Sequence, residues 1–330
     1  MRLHVLVPIV VCLAVLVSLA ALFAPVARAG ARRHRSGTTV PAAAKSDSKP
    51  AAKADVVARI AVSCDPLPGD APDQPPLLRS GVGLNYTNDM LEHPADGAVA
   101  VCLLVDSTGA VREAGILESS GLAAPFDAAA IDAARWWVFA PARRGGRAVP
   151  ARIQLSVAAR VPRDADPMVP DVVALALDAE AHGDLRGALD AWTGAIARTG
   201  TQPALQNEWV LREHVVRLAA RLPKPPEVPM LTESRARAMH NLMLRNIARA
   251  DNADYAKALD DVLLTAPWYA AAYRWRASAR AASGQRDGAV RDVLCYRLAA
   301  RDSADRAVAE RALVALAAAD TIAALTMLKN

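Results

Sequence analysis

The residues of this 330-residue chain best suited to metal or nucleophilic chemistry are six histidines and four cysteines. The histidines stand singly. None sits in a His-Glu-x-x-His pair, no two cysteines have metal-ligand spacing, and there is no Gly-rich phosphate loop or Gly-x-Ser-x-Gly elbow. The chain is therefore expected to hold no catalytic, metal or cofactor residues and not to be an enzyme. Disulfide chemistry is what remains. Cys12 lies inside an apolar run and follows Val11, where lipid attachment calls for a small residue. Cys64, Cys102 and Cys295 are left, an odd number, so at least one is free or intermolecular. An oxidising compartment permits a Cys64 to Cys102 bridge. The competing reading makes Cys102 and Cys295 small buried hydrophobes.

Compartment is set by the amino terminus. Arg2 precedes a nearly uniform apolar run over 5–24, then Pro25 and Ala27-Arg28-Ala29, a small-x-small tripeptide of the kind cleaved after export. The run is also near the ~20 apolar residues that span a bilayer. Two outcomes stay open: a soluble periplasmic protein after removal of 1–29, or an inner-membrane anchor over 5–24.

Composition narrows the partners. With 53% hydrophobic and 22% charged residues, the bulk of the chain should fold as globular units. Setting aside Arg2 and Arg28 lowers the formal charge from +5 to +3, and the basic clusters at 32–35 and 143–147 contain no stacking aromatics. No nucleic-acid partner is expected. Along the carboxy-terminal half arginines alternate with Asp and Glu, as on solvated helix faces.

The elements that organise these residues can be read in order. Residues 30–55 are rich in Ala, Lys, Ser, Thr and Pro without apolar periodicity, and a Pro-rich stretch follows to Pro76. A disordered linker is expected over 30–76, its first part spanning at most ~90 Å. Residues 98–105 alternate as a strand, Val99, Val101, Leu103 and Val105 against Ala98, Ala100, Cys102 and Leu104. Asp106-Ser107-Thr108-Gly109 has Asp first and Gly last, as a type I turn prefers, and leads into a second strand over 110–118. From 126 to 137 the spacing predicts a helix with Phe126, Ala130, Ala133 and Trp137 on one side. A last strand over 151–160 sets Ile153, Leu155 and Val157 against Arg152, Gln154 and Ser156.

The order strand, strand, helix, strand is common, and the run 126–142 makes it specific. Phe126-Asp127-Ala128-Ala129-Ala130-Ile131, then Arg135-Trp136-Trp137-Val138-Phe139-Ala140-Pro141-Ala142, then Gly145-Gly146, closely resembles the TonB C-terminal family. Tyr86 and Gly97 stand where that family has a Tyr-Pro pair and the Gly opening its first strand, with Thr87 in place of the Pro. The resemblance implies an α+β domain over 77–162, a small antiparallel sheet with a helix. In it Asp127, Ala130, Arg135, Trp137, Phe139, Pro141 and Gly146 have structural roles. Trp137 and Phe139 are expected to roof the sheet, Pro141 to stop the helix, and Gly145-Gly146 to turn the chain into its final strand. The resemblance also implies that the last strand, through Arg152, Ile153, Gln154, Leu155, Ser156 and Val157, binds the peptide of an outer-membrane receptor or another envelope protein by strand addition. Inner-membrane motor subunits of the ExbB/ExbD type would supply energy for transport.

Three departures favour an alternative, a periplasmic adaptor without energy coupling. The apolar run holds Ser18 but no His after His4, the long Pro-Lys spacer of the family is absent, and about half the chain follows the domain. That remainder, 171–330, is expected to be an all-α helical-repeat domain. Ala174 to Ala195, with Gly183 at the turn, resembles a tetratricopeptide repeat, and Ala272 to Val290, with Gly284, repeats the spacing. A looser copy runs from Tyr255 to Pro267.

Overall fold

The computed structural model describes residues 64–329 apart from 66, 68–70, 123, 164, 166–171, 225 and 246–251. The leader or anchor over 1–29 and the linker as far as 63 lie outside the described residues. Along the chain come β1 (Leu77–Ser80), α1 (Asn88–Glu92), β2 (Gly97–Val105), β3 (Val111–Glu118), α2 (Ala124–Ala134), β4 (Val138–Ala140), β5 (Ala142–Arg144), β6 (Arg147–Val149) and β7 (Ala151–Ala159). The nine helices α3 (Val172–Ala181), α4 (Leu185–Arg198), α5 (Glu208–Arg221), α6 (Met230–Arg245), α7 (Asn252–Thr265), α8 (Ala270–Ala282), α9 (Arg286–Ala299), α10 (Ser303–Ala317) and α11 (Thr321–Leu328) follow among the described residues.

β3, β2 and β7 form an antiparallel sheet in that order. Period-two patterning puts Val99, Val101, Leu103 and Val105, all fully buried, on one face. α2 covers that face with Phe126, Ala130, Ala133 and Ala134, whose small side chains let the helix lie close. The hairpin between β2 and β3 turns on Asp106, whose Oδ1 accepts from the Thr108 and Ala110 backbone N–H groups at 2.7 and 3.2 Å, while Gly109 N–H closes the turn on the Asp106 carbonyl at 3.0 Å.

The expected helix over 126–137 ends earlier, at Ala134, so Pro141 does not stop it. β4 intervenes, pairing antiparallel with β1. The tandem tryptophans sit in the turn between α2 and β4, their N–H groups bonded back to the Ala133 and Ala134 carbonyls at 3.1 Å, and their side chains part there. Trp137 packs on the sheet core and donates to the Val82 carbonyl at 3.0 Å; Trp136 is buried among the helices. Gly145-Gly146 also differs from expectation. It makes the turn of the β5–β6 hairpin, and β7 starts only after Pro150.

The helical half is built of antiparallel hairpins, of which α3–α4 and α8–α9 turn at Gly183 and Gly284, both left-handed. At each turn the residue after the glycine bonds back to a carbonyl five residues earlier: Asp184 to Ala179 at 2.9 Å and Gln285 to Arg280 at 2.8 Å. α10–α11 repeats the device without a glycine, since Ala319 takes φ 62° and Asp320 bonds to Ala315 at 2.9 Å. An alanine there carries a left-handed penalty of about 1 kcal/mol. Ala319→Gly is expected to stabilise the protein by about 0.5 kcal/mol, the penalty less the entropy glycine adds to the unfolded chain. An unchanged or lowered melting temperature would contradict it.

The expectation that the arginines of this half lie on solvated faces fails at four of its charged positions: Arg212, Arg276, Arg291 and Asp292 are buried. Arg276 and Arg280 share Asp292 and Asp260 between α7, α8 and α9, with the Trp209 ring 5.5 and 5.6 Å from the two guanidinium carbons. Burial alone would raise the Glu208 carboxyl, but the Arg212, Arg276 and Arg280 charges outweigh it and hold it below its ordinary value.

Candidate partner-binding edge

β7 forms because branched and long apolar side chains alternate with polar ones over nine residues. It runs in unbroken register with β2, from Gly97 opposite Ala159 to Val105 opposite Ala151. Val157 is buried and Ile153 and Leu155 half-buried on the core side; Gln154, Ser156 and Ala158 are exposed. Arg152 is half-buried and pairs with Glu113 on β3 at 3.3 Å.

Which backbone groups point off the sheet follows from the β2–β3 hairpin. Asp106 N–H donates to the Ala110 carbonyl, toward β3. Alternation then directs Val99, Val101, Leu103 and Val105 toward β7, and Ile153, Leu155 and Val157 back toward β2. The backbone N–H and C=O groups of Gln154, Ser156 and Ala158 face outward, and among the described residues no strand pairs with that edge. Tyr86 secures its end, donating its hydroxyl to the Arg160 carbonyl at 2.8 Å, and burial pushes that phenol above its ordinary value.

The residues expected to have structural roles are spread through the domain. Gly97 opens β2 where an added Cβ would lie 2.8 Å from Leu122 Cδ1. The buried Asp127 carboxylate accepts from Ser119 Oγ at 2.6 Å, Ser120 Oγ at 2.8 Å and Ser120 N–H at 3.1 Å, tying the start of α2 to the end of β3. Ala130 and Phe139 are in the core, Arg135 is exposed beside Asp132, and Pro141 joins β4 to β5. Residues 83–158 match the family model of the Gram-negative bacterial TonB protein C-terminal. That TonB C-terminal domain occupies about a quarter of the chain. Comparison with curated proteins and with solved structures finds no match.

The TonB C-terminal domain does not stand apart from the helices. The described residues from 64 onward pack as one compact unit. Trp136 stacks on Trp209 of α5, ring centroids 6.0 Å apart, and donates to Glu213 at 3.2 Å. Arg291 of α9 reaches across to donate to the Trp136 carbonyl at 3.0 Å, the Ser80 carbonyl at 3.0 Å and Ser80 Oγ at 2.8 Å. Asn85 and Asn207 exchange bonds at 2.7 and 3.0 Å, and Tyr86 N–H donates to the Ala204 carbonyl at 2.9 Å. None of these bonds is made by a residue of β7 itself. A cavity of about 750 Å³ opens at the junction, lined by Val82, Pro162, Leu205, Trp209 and the ion-paired Glu208, Arg212, Asp260 and Arg280. Sequence reading missed Trp136 and Arg291, since nothing in the local pattern separates a tryptophan facing the sheet from one facing the helices.

On the outer face of the sheet, Cys102 is disulfide-bonded to Cys64, with a Cα–Cα distance of 5.6 Å. Cys102 is 1% exposed although Ala98 on the same face is open, because Cys64 covers it. Cys295 is free and buried, and burial pushes its thiol well above the ordinary value, which makes it unreactive. Among the described residues no helix is long and apolar enough to cross a membrane.

Proposed function

We propose that the chain is a TonB-family envelope protein that binds a short extended peptide, from an outer-membrane receptor or another envelope partner, by strand addition to the outer edge of β7. The observation that carries this is the row of outward backbone groups at Gln154, Ser156 and Ala158 in a sheet whose family model is that of the TonB C-terminal. A peptide there would exchange main-chain hydrogen bonds with β7, and its alternate side chains would meet Ile153 and Leu155 on one face and Gln154 and Ser156 on the other. The function is one of binding, without catalysis. Energised transport with ExbB/ExbD-type motor subunits is the fuller reading. The adaptor reading is favoured by the extent of helical surface joined to the domain through Trp136 and Arg291.

Ser156→Pro tests the edge. Proline removes the outward N–H at this position and leaves the β2 ladder bonds of Leu155 and Val157 in place. With a photocrosslinking residue at Gln154, the otherwise unchanged protein is expected to capture receptor amino-terminal segments in intact envelopes, and Ser156→Pro to lower that capture by about two- to tenfold, the equivalent of one lost backbone bond. Equal capture by the proline variant, or crosslinks confined to this chain's own residues, would refute strand addition.

A further inference from the structure

We infer that the Cys64–Cys102 disulfide is a mechanical clamp that carries tension from the amino-terminal chain straight into the middle strand of the sheet. The chain upstream of Cys64 reaches the sheet by two routes. The covalent one runs through the disulfide to Cys102, 38 residues further along and at the centre of β2. The other follows the backbone through the segment that precedes β2 in sequence. That second route is weak at its start: Gln74 pairs with Arg143, Asp73 accepts from Gly145 N–H at 2.6 Å, and β1 meets β4 through three register partners. Such edge contacts peel one at a time under load. Leu77 and Leu78 of β1 are largely exposed and add little burial to resist it.

β2 is different because it is held on both sides. Cys102 lies opposite Gly115 of β3 and Gln154 of β7, within a ladder of nine residue pairs to β7. Cys64 Sγ also lies 3.7 Å from the Ile153 carbonyl oxygen, against the β2–β7 seam. With the bond closed, tension enters the sheet one strand away from the edge proposed to hold the partner, and the peripheral residues between 64 and 102 carry none of it. With the bond open, the same pull must first strip β1 and its flanking contacts. The inference rests on the proposed function only for the source of the load.

Optical-tweezers pulling on the full chain tests it, with one handle at the amino terminus and the other on an azide-bearing residue at position 156, without any partner. In the oxidised protein the sheet is expected to rupture with no earlier step. Reduced in place with dithiothreitol, the same protein should show an earlier low-force extension of up to about 55 Å, the length of the chain from Asp65 to Ser80, where Arg291 holds the end of β1, before rupture. Cys64→Ser, folded as judged by far-ultraviolet circular dichroism, should behave like the reduced protein. Rupture in a single step at the same force in both redox states would overturn the clamp, while leaving crosslinking at β7 unaffected; loss of crosslinking with a redox-dependent first step would do the reverse.

Discussion

Gly109→Ala is expected to destabilise the protein by about 3–5 kcal/mol, near the upper end for single substitutions. Two causes act together. Gly109 has φ +83°, where an L side chain costs about 1–2 kcal/mol. A Cβ there would also lie 1.9 Å from the Phe139 carbonyl oxygen and 2.9 Å from its carbon, and backbone cannot move aside as a flexible side chain can. Relief requires β4 to retreat from the turn, which breaks the Phe139 N–H bond to the Gly109 carbonyl at 2.8 Å and loosens Phe139 in the core. Gly121→Ala is the control. Its φ is +73°, but nothing lies within 4 Å of an added Cβ, so only the conformational cost applies. Urea denaturation of both variants, followed by tryptophan fluorescence, should show a loss at Gly109 two to four times that at Gly121 if the clash dominates. Similar losses would mean that β4 yields freely, and the account of the turn as a seat for Phe139 would be wrong.

That seat was half legible in the sequence. Asp106 and Gly109 marked a turn by residue preference alone, and the period-two runs over 98–105 and 151–160 marked, to within a residue, the two strands that build the candidate edge. The contact of the turn with Phe139 was not legible, because β4, β5 and β6 are each three residues long and show no period. The TonB-type motif pointed to Trp137, which packs against the sheet core, yet the neighbouring Trp136 joins the two halves. What separates them is the turn that ends α2 at Ala134, three residues earlier than the spacing suggested. The third helical hairpin was hidden because Ala319 stands where the other two have glycine. In the helical half, charge patterning misled: Arg276 and Asp292 look in sequence like any solvated pair. A weak signal existed, since Asp260, Arg276 and Asp292 are spaced by 16 residues, one on each of three successive helices. Regular spacing of opposite charges at the helix-to-helix interval of such an array places them on adjoining faces, and burial then depends on what caps the array, here Trp209 and Tyr273.

Asp292→Ala tests whether that buried charge cluster holds the helices together. The Asp292 carboxylate is fully buried and accepts from Arg276 Nε at 3.0 and 3.1 Å, from Arg276 at 2.5 Å through a second nitrogen, and from Arg280 at 3.1 Å. Removing it leaves the Arg276 guanidinium, itself fully buried, with the Asp260 hydrogen bond at 2.6 Å, on a carboxylate that is 41% exposed, and the faces of Trp209 and Tyr273. Arginine cannot escape by losing its proton: the surrounding acids outweigh burial and push its pKa up, so the charge stays. The expected loss is about 3–5 kcal/mol, that of breaking a buried pair by one partner. Much of this is the cost of the stranded cation, which a second substitution separates. Arg276→Met together with Asp292→Ala removes both charges and fills the space beside Trp209 and Tyr273, so the double variant should recover at least about 2 kcal/mol relative to Asp292→Ala. Recovery would show that the cluster specifies how α7, α8 and α9 meet more than it stabilises them. A double variant no more stable than the single would place the loss in packing, and the cluster would then be the direct source of stability in the half of the chain that anchors Trp136.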